Sequence, residues 1–202
     1  MHLFLIRHAQ TKHNHDHRYQ GFTDAPLNEK GELQAKEIAK RLSDKKIDAI
    51  YSSDLQRSIQ TAEVIAKEHQ LKINIDERLR EISFGDWEGM SYNEIQEQSS
   101  DLLEKWIDDP TNISPPNGET LNQLASRVNS AIDEIKSKHK DEETVLLVTH
   151  AGVIRTLLCT ALGVALNNHA QFDCKTGSLS IISFYDEYAH VRLLNDISHL
   201  EK

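Results

Sequence analysis

Three short apolar runs in this chain each end near a residue that can carry positive charge, and that coincidence constrains the fold more than any single motif. Leu3-Phe4-Leu5-Ile6 leads into Arg7 and His8, Ile47 to Tyr51 leads through Ser52-Ser53-Asp54 to Arg57, and Thr144-Val145-Leu146-Leu147-Val148 leads into Thr149 and His150. Runs this short read as strands, and their apolar or β-branched makeup suits strands buried on both faces. Each precedes a stretch with helical spacing: Leu33, Ala35, Ile38, Ala39 and Leu42; then Ile59, Ala62, Ile65 and Ala66; then Val153, Ile154, Leu157, Leu158 and Leu162. Strands alternating with helices predict an α/β fold, a three-layer α/β/α sandwich around a mostly parallel central sheet. Such sheets meet their ligands at the carboxyl ends of the strands. If the three strands are neighbours, two guanidiniums and two imidazoles share one crevice, and the cluster repels itself unless an anion sits in it. A phosphoryl group meets that need, because planar guanidinium forks bind phosphate oxygens in pairs.

The 202 residues predict a single domain, 1–202, with a cap-like insertion of loops and helix at about 82–118. A chain of this length buries about 70% of its unfolded surface and needs no staple. Cys159 and Cys174 have no metal-ligand spacing and read as reduced thiols of a cytoplasmic protein. The formal charge of -9 argues against nucleic acid or an anionic membrane as partner, and no apolar run approaches the length of a membrane span. A small anionic substrate remains compatible with a local basic cleft.

The rest of the chain fills in around these strands. Ile73 and Ile75 mark a further short strand, and 179–185 and 190–194 complete the sheet. Asp54 is placed to cap the helix that carries Arg57. Residues 92–106 predict helix with Ile95, Leu102, Leu103 and Trp106 inward, and 119–139 a long helix whose charged outer face is solvated. His13, His15 and His17 alternate beside Asp16, but residues two apart converge on a metal only along an ordered strand, and this segment is polar and flanked by turn residues. No metal or cofactor is predicted. There is no Walker-type glycine loop and no compact Asp cluster, which removes P-loop hydrolysis and two-metal phosphoryl transfer. The histidines at 2, 69, 139, 169, 190 and 199 lie in no motif and read as structural or surface residues.

Three spellings sharpen the picture. Arg7-His8-Ala9-Gln10-Thr11 with Asn14, Ser53-Asp54-Leu55-Gln56-Arg57 with Thr61-Ala62, and Thr149-His150-Ala151-Gly152 occur in that order across nearly the whole chain. Together they resemble the signatures of the histidine phosphatase (phosphoglycerate mutase-like) superfamily, with Ala9 where the family usually has Gly. Phe84 to Gly89 and Pro115 to Glu119 are spelled much as in its phosphatase members, including α-ribazole phosphatases. The resemblance implies that His8 attacks phosphorus and that Arg7, Arg57 and His150 hold the phosphoryl oxygens. Asn14, Gln20 and the backbone at Gly21 would assist. Glu81, by its residue type alone one acid among many, is the implied proton donor, with Asp86 as fallback. The implied function is hydrolysis of a small-molecule phosphate ester through a phosphohistidine, with α-ribazole 5'-phosphate a candidate. A phosphoglycerate mutase or a non-catalytic phosphoester-binding module are the alternatives. Ala151 after His150 lacks the Asp through which acid-phosphatase relatives present their acid.

Overall fold

The computed structural model describes residues 1–200 and contains one six-stranded sheet in the order β3-β2-β4-β1-β5-β6. β1 (His2–Arg7) lies parallel to β4 (Thr144–Thr149), which is parallel to β2 (Ala49–Ser52), itself parallel to β3 (Ile73–Ile75). β5 (Leu179–Phe184) runs antiparallel along β1, and β6 (Ala189–Asp196) antiparallel along β5. The sheet is therefore mostly parallel, and the three strands with cationic ends are adjacent.

The period-2 alternation of the strands divides the core into two layers. Leu3, Leu5, Val145 and Leu147 face α5 (Leu121–Lys138) and α6 (Ala151–Leu162), where they pack with Leu124, Val128, Ile154 and Leu158. Ile6, Leu146 and Val148 face the opposite way, toward α2 (Glu29–Leu42) and α3 (Gln56–His69), against Ile38, Leu42 and Ile65. Both faces of β1 and β4 are thus covered, which is why those runs contain almost no polar residue.

Local signals set the helix ends. Asn28 caps α2 by accepting from Gly31 N at 2.8 Å, and Thr120 with Gln123 forms a capping box at α5. Ser91 and Glu94 do the same for α4 (Tyr92–Asp108), which breaks at Ser99. Of the inward residues expected there, Ile95 and Leu103 are buried, whereas Leu102 and Trp106 are half-buried. Asp54 does not cap α3. Leu55 occupies the cap position without a side-chain bond, and Asp54 turns away to a two-pronged pairing with Arg80. The cap comes from elsewhere in the sequence: Asp24 Oδ1 accepts from Gln56 N at 2.8 Å. Residues 12–15, expected as loop, form a short helix α1 (Lys12–His15) closed by a Thr11/Asn14 capping box.

Candidate active site

Arg7, His8, Arg57 and Glu81 line one cleft of about 500 Å³ at the carboxyl ends of β1, β4 and β2. His8 is almost fully buried. Its Nδ1 lies 2.8 Å from Ala9 O, and since a carbonyl only accepts, Nδ1 carries the proton and Nε2 keeps its lone pair. Burial, followed by the charges of Arg57 and Arg7, holds the His8 imidazole well below its ordinary pKa, so it is neutral. Ala9 is buried beside Leu27 and Ala35 and is not in the left-handed region, so the position demands a small side chain and not glycine's freedom.

His150 sits behind His8, with ring centroids 5.1 Å apart. It is fully buried, and its Nδ1 has no hydrogen-bond partner in the protein. Its Nε2 meets Ser53 Oγ at 2.7 Å and Ser58 Oγ at 3.3 Å. Burial and the charge of Arg57 push its pKa well down too.

Arg18, Arg41, Arg78, Arg80 and Arg127 each pair with a carboxylate. Arg18 lines the cleft as well, but the other cleft arginines, Arg7, Arg57 and Arg155, make no such contact among the described residues. Arg7 donates to Cys174 O at 2.5 Å, and Arg57 to Gly21 O at 2.7 Å and Thr23 O at 2.9 Å. Arg57 is 1% exposed, and desolvation lowers its pKa to about 10, partly offset by the fields of Glu81, Asp24 and Glu88, so it stays charged at neutral pH. Burying an unpaired cation costs several kcal/mol. The remaining nitrogens sharpen the imbalance: Arg7 Nε, Arg57 Nε, His150 Nδ1 and Gln20 Nε2 are buried without a hydrogen-bond partner in the protein. Four orphaned nitrogens around one crevice make a receptor for an oxyanion.

The loop from Gln20 to Asp24 closes one side. Gln20 Oε1 accepts from Thr11 Oγ1 at 2.8 Å, which leaves its amide nitrogen free. Gly21 has φ +41°, and a Cβ there would lie 2.1 Å from Glu88 Oε1. That carboxylate gathers Phe22 N at 2.8 Å, Thr23 N at 2.5 Å and Thr23 Oγ1 at 2.6 Å. Asn14 lines the cleft, but its side-chain oxygen is used in the Thr11 capping box.

Glu81 lies against the N-terminus of α6, where its Oε1 accepts from Gly152 N at 2.9 Å and from Ile82 N at 2.9 Å. The helix needs this, because its cap residue His150 supplies no side-chain bond. Asp86, the fallback acid, is exposed, is bound by Asn117 Nδ2 at 3.0 Å and lies outside the cleft lining.

The outer cleft carries Tyr19, Phe84, Tyr92 and Trp106 together with Arg155 and His169. The sequence motifs do not single out Arg155, and His169, read there as structural or surface, lines the cleft. Glu88 and Ser53 lie within the motif spellings, which by themselves assign neither a role. His13 and His15 fall on the helix α1, where residues two apart diverge. Among the described residues no group of three or more His, Cys, Asp or Glu is arranged to hold a metal ion.

Comparison with known proteins places the chain in a family. The sequence profile of the histidine phosphatase superfamily (branch 1) matches residues 3–197. Phosphoserine phosphatase 1 of Hydrogenobacter thermophilus is 35% identical over 98% of this chain and 93% of its own. Phosphoglycerate mutase-like protein 4 of Arabidopsis thaliana is 34% identical over 99% and 87%. The crystal structure of the α-ribazole phosphatase from Shigella flexneri superposes with a TM-score of 0.89 at 30% identity, covering 97% of this chain and 96% of that one.

Proposed function

The chain belongs to the histidine phosphatase superfamily, and from that premise we propose that it hydrolyses small-molecule phosphate monoesters through a phosphohistidine at His8. The observation that carries the reading is the set of orphaned nitrogens on Arg7, Arg57, His150 and Gln20 around a neutral imidazole. His8 Nε2 attacks phosphorus while Ala9 O holds the ring in the required tautomer. Arg7 and Arg57 take the equatorial oxygens, with His150, Gln20, Asn14 and the loop at Gly21 assisting, and stabilise the charge that develops there. Glu81 protonates the leaving alkoxide and then deprotonates the water that cleaves phosphohistidine. Gly152 N and Ile82 N orient that carboxylate in the free site, and the proton it gives in the first step is returned by the water in the second. The guanidiniums of Arg7 and Arg57 already balance the phosphoryl charge, and activity is expected to survive EDTA.

The aromatic wall of Tyr19, Phe84, Tyr92 and Trp106 suits a leaving group with a flat or apolar body, as in α-ribazole 5'-phosphate. A panel containing p-nitrophenyl phosphate, α-ribazole 5'-phosphate, phosphoserine and 3-phosphoglycerate tests the proposal. Phosphate release from at least one ester, abolished by His8→Ala, is the expected result. Tight binding of these esters with no release from any would establish the non-catalytic module instead.

A further inference from the structure

Glu81 stands in an irregular stretch between β3 and α4, with a single 3-10 turn before it at Glu77–Leu79 and another after it at Gly85–Trp87. No ladder of strand or helix bonds fixes it, yet proton transfer needs the donor held to within a fraction of an ångström. Something else must hold that backbone, and one side chain meets it on both sides. Arg127 of α5 donates from Nη1 to Arg78 O at 2.8 Å and Arg80 O at 2.7 Å, and from Nη2 to Glu81 O at 2.7 Å. Its two other bonds go to Glu119, from Nε to Oε1 at 2.8 Å and from Nη2 to Oε2 at 2.7 Å. The five N–H groups of a guanidinium are thereby all used. Glu119 extends the hold past Glu81: its Oε2 accepts from Ser83 N at 2.9 Å, and its own N donates to Ser83 O at 2.9 Å.

The same guanidinium lies 5.6 Å from the Phe22 ring, which Arg80 approaches at 5.3 Å. Phe22 belongs to the loop whose carbonyls bind Arg57, so acid loop and phosphate loop meet on one pair of arginines. Paired with Glu119, Arg127 has neither spare donors nor net charge to offer a substrate, unlike Arg7 and Arg57. It acts on the reaction only through where it puts the chain.

We propose that Arg127, locked by Glu119, is the positioning residue of the acid–base carboxylate. This rests on Glu81 being that carboxylate, and the experiment separates the two claims. Arg127→Lys, Arg127→Met, Glu119→Gln, Glu81→Gln and the double variant Glu81→Gln/Arg127→Lys are compared on p-nitrophenyl phosphate, whose leaving group needs little protonation, and on glycerol phosphate, whose alkoxide does. The pre-steady-state burst from p-nitrophenyl phosphate counts the folded, active sites. Per active site, the Arg127 and Glu119 variants are expected to lose about 10- to 100-fold on glycerol phosphate and markedly less on the aryl ester, a share of the full worth of general acid catalysis. The double variant is expected to be no slower than Glu81→Gln alone, because one removed proton donor cannot be misplaced as well. Equal losses on both esters, or losses that multiply in the double variant, would overturn the proposal and leave Arg127 an ordinary clamp. If Glu81→Gln itself shows no leaving-group dependence, the acid assignment falls and this inference falls with it. Glu119→Gln, which keeps an acceptor oxygen, supplies the answer should the Arg127 variants fail to fold.

Discussion

His8 and His150 stand ring to ring, 5.1 Å between centroids and tilted by 58°, and neither has a carboxylate against it. Two protonated imidazoles could not coexist there beside Arg7 and Arg57, so the pair is held neutral and His8 is ready to attack. Quenching with labelled substrate is expected to trap a phosphoenzyme that is acid-labile and alkali-stable. A His8→Ala variant with near-normal turnover would refute the nucleophile.

The same pair ties stability to pH. The folded-state pKa values of His8 and His150 are lowered, by burial first and by Arg57 next, so the unfolded chain takes up protons before the native one. Stability from this source is fully present above the unfolded imidazole value of about 6.5 and is lost as pH falls from there toward the lowered native values. Melting curves between about pH 8 and pH 5 are expected to fall less steeply for His150→Gln than for the parent. Saturating inorganic phosphate should raise the parent's stability by about 2.7 kcal/mol at a hundred times its Kd. Parallel pH slopes for parent and variant would contradict the shifts.

Glu81→Gln is expected to lower turnover by about 10²- to 10⁴-fold on esters with poor leaving groups. The loss on p-nitrophenyl phosphate should be smaller. Asp86, exposed and bound to Asn117, should tolerate Asn with little change. The reverse pattern between the two variants would move the acid to Asp86.

Gly152 offers a way to disturb Glu81 without touching it. A Cβ at Gly152 would lie 2.3 Å from Glu81 Oε1, the movable end of a side chain, so α6 can persist while the carboxylate is displaced. Gly152→Ala should therefore keep its melting temperature within a few degrees, as a shift under about 1 kcal/mol implies, yet reproduce the leaving-group dependence of Glu81→Gln. Unchanged kinetics on alkyl phosphates would show that Glu81 is not needed where it sits.

Whether the phosphoenzyme gives its phosphoryl group to water or to a second substrate depends on the cleft rim. A mutase must exclude water and hold a bisphosphorylated intermediate, which calls for a closed and strongly cationic site. Between Glu81 and α5 the only basic residue is Lys105, and the rim residues Tyr92 and Ile107 are exposed. Arg155 adds a cationic group from outside the insertion, enough to greet one further charged group, while burial and that same arginine lower the pKa of the neighbouring His169. Incubation with 3-phosphoglycerate and catalytic 2,3-bisphosphoglycerate is expected to yield negligible 2-phosphoglycerate. Interconversion outpacing phosphate release would make the protein a mutase.

What could be read from the chain and what could not divides along a physical line. β1 and β4 announce themselves because strands buried on both faces must be apolar throughout, and their ends place Arg7, His8 and His150 without further information. Arg57 follows from its strand and helix in the same way. Arg127 was invisible: on a helix with charged residues along one side, a guanidinium that meets three carbonyls of a distant loop looks like one that meets water. Asp54 misled for a related reason. Its chemistry suits a helix cap, but Arg80 competes for it and Asp24, some thirty residues earlier, takes the cap. His169 and Arg155 reach the cleft from α6 and the turn after it, an approach that no local spacing encodes.

The position of β4 between β1 and β2 also sets an order of events during synthesis. β2 can pair early with β3, but β1 has only β4 and β5 as neighbours, and both lie more than a hundred residues downstream. Until residues 144–149 leave the ribosome, β1 has no edge to join, and the segment bearing His8, the proposed nucleophile, waits as unpaired apolar chain. Nascent chains arrested before Thr144 should accordingly show protease cleavage around residues 1–10, and those arrested after the sheet is complete should resist it. Early protection of that segment would mean that it finds a partner the native topology does not contain. Of the strands in this sheet, the one made first is the one that must be kept from sticking longest.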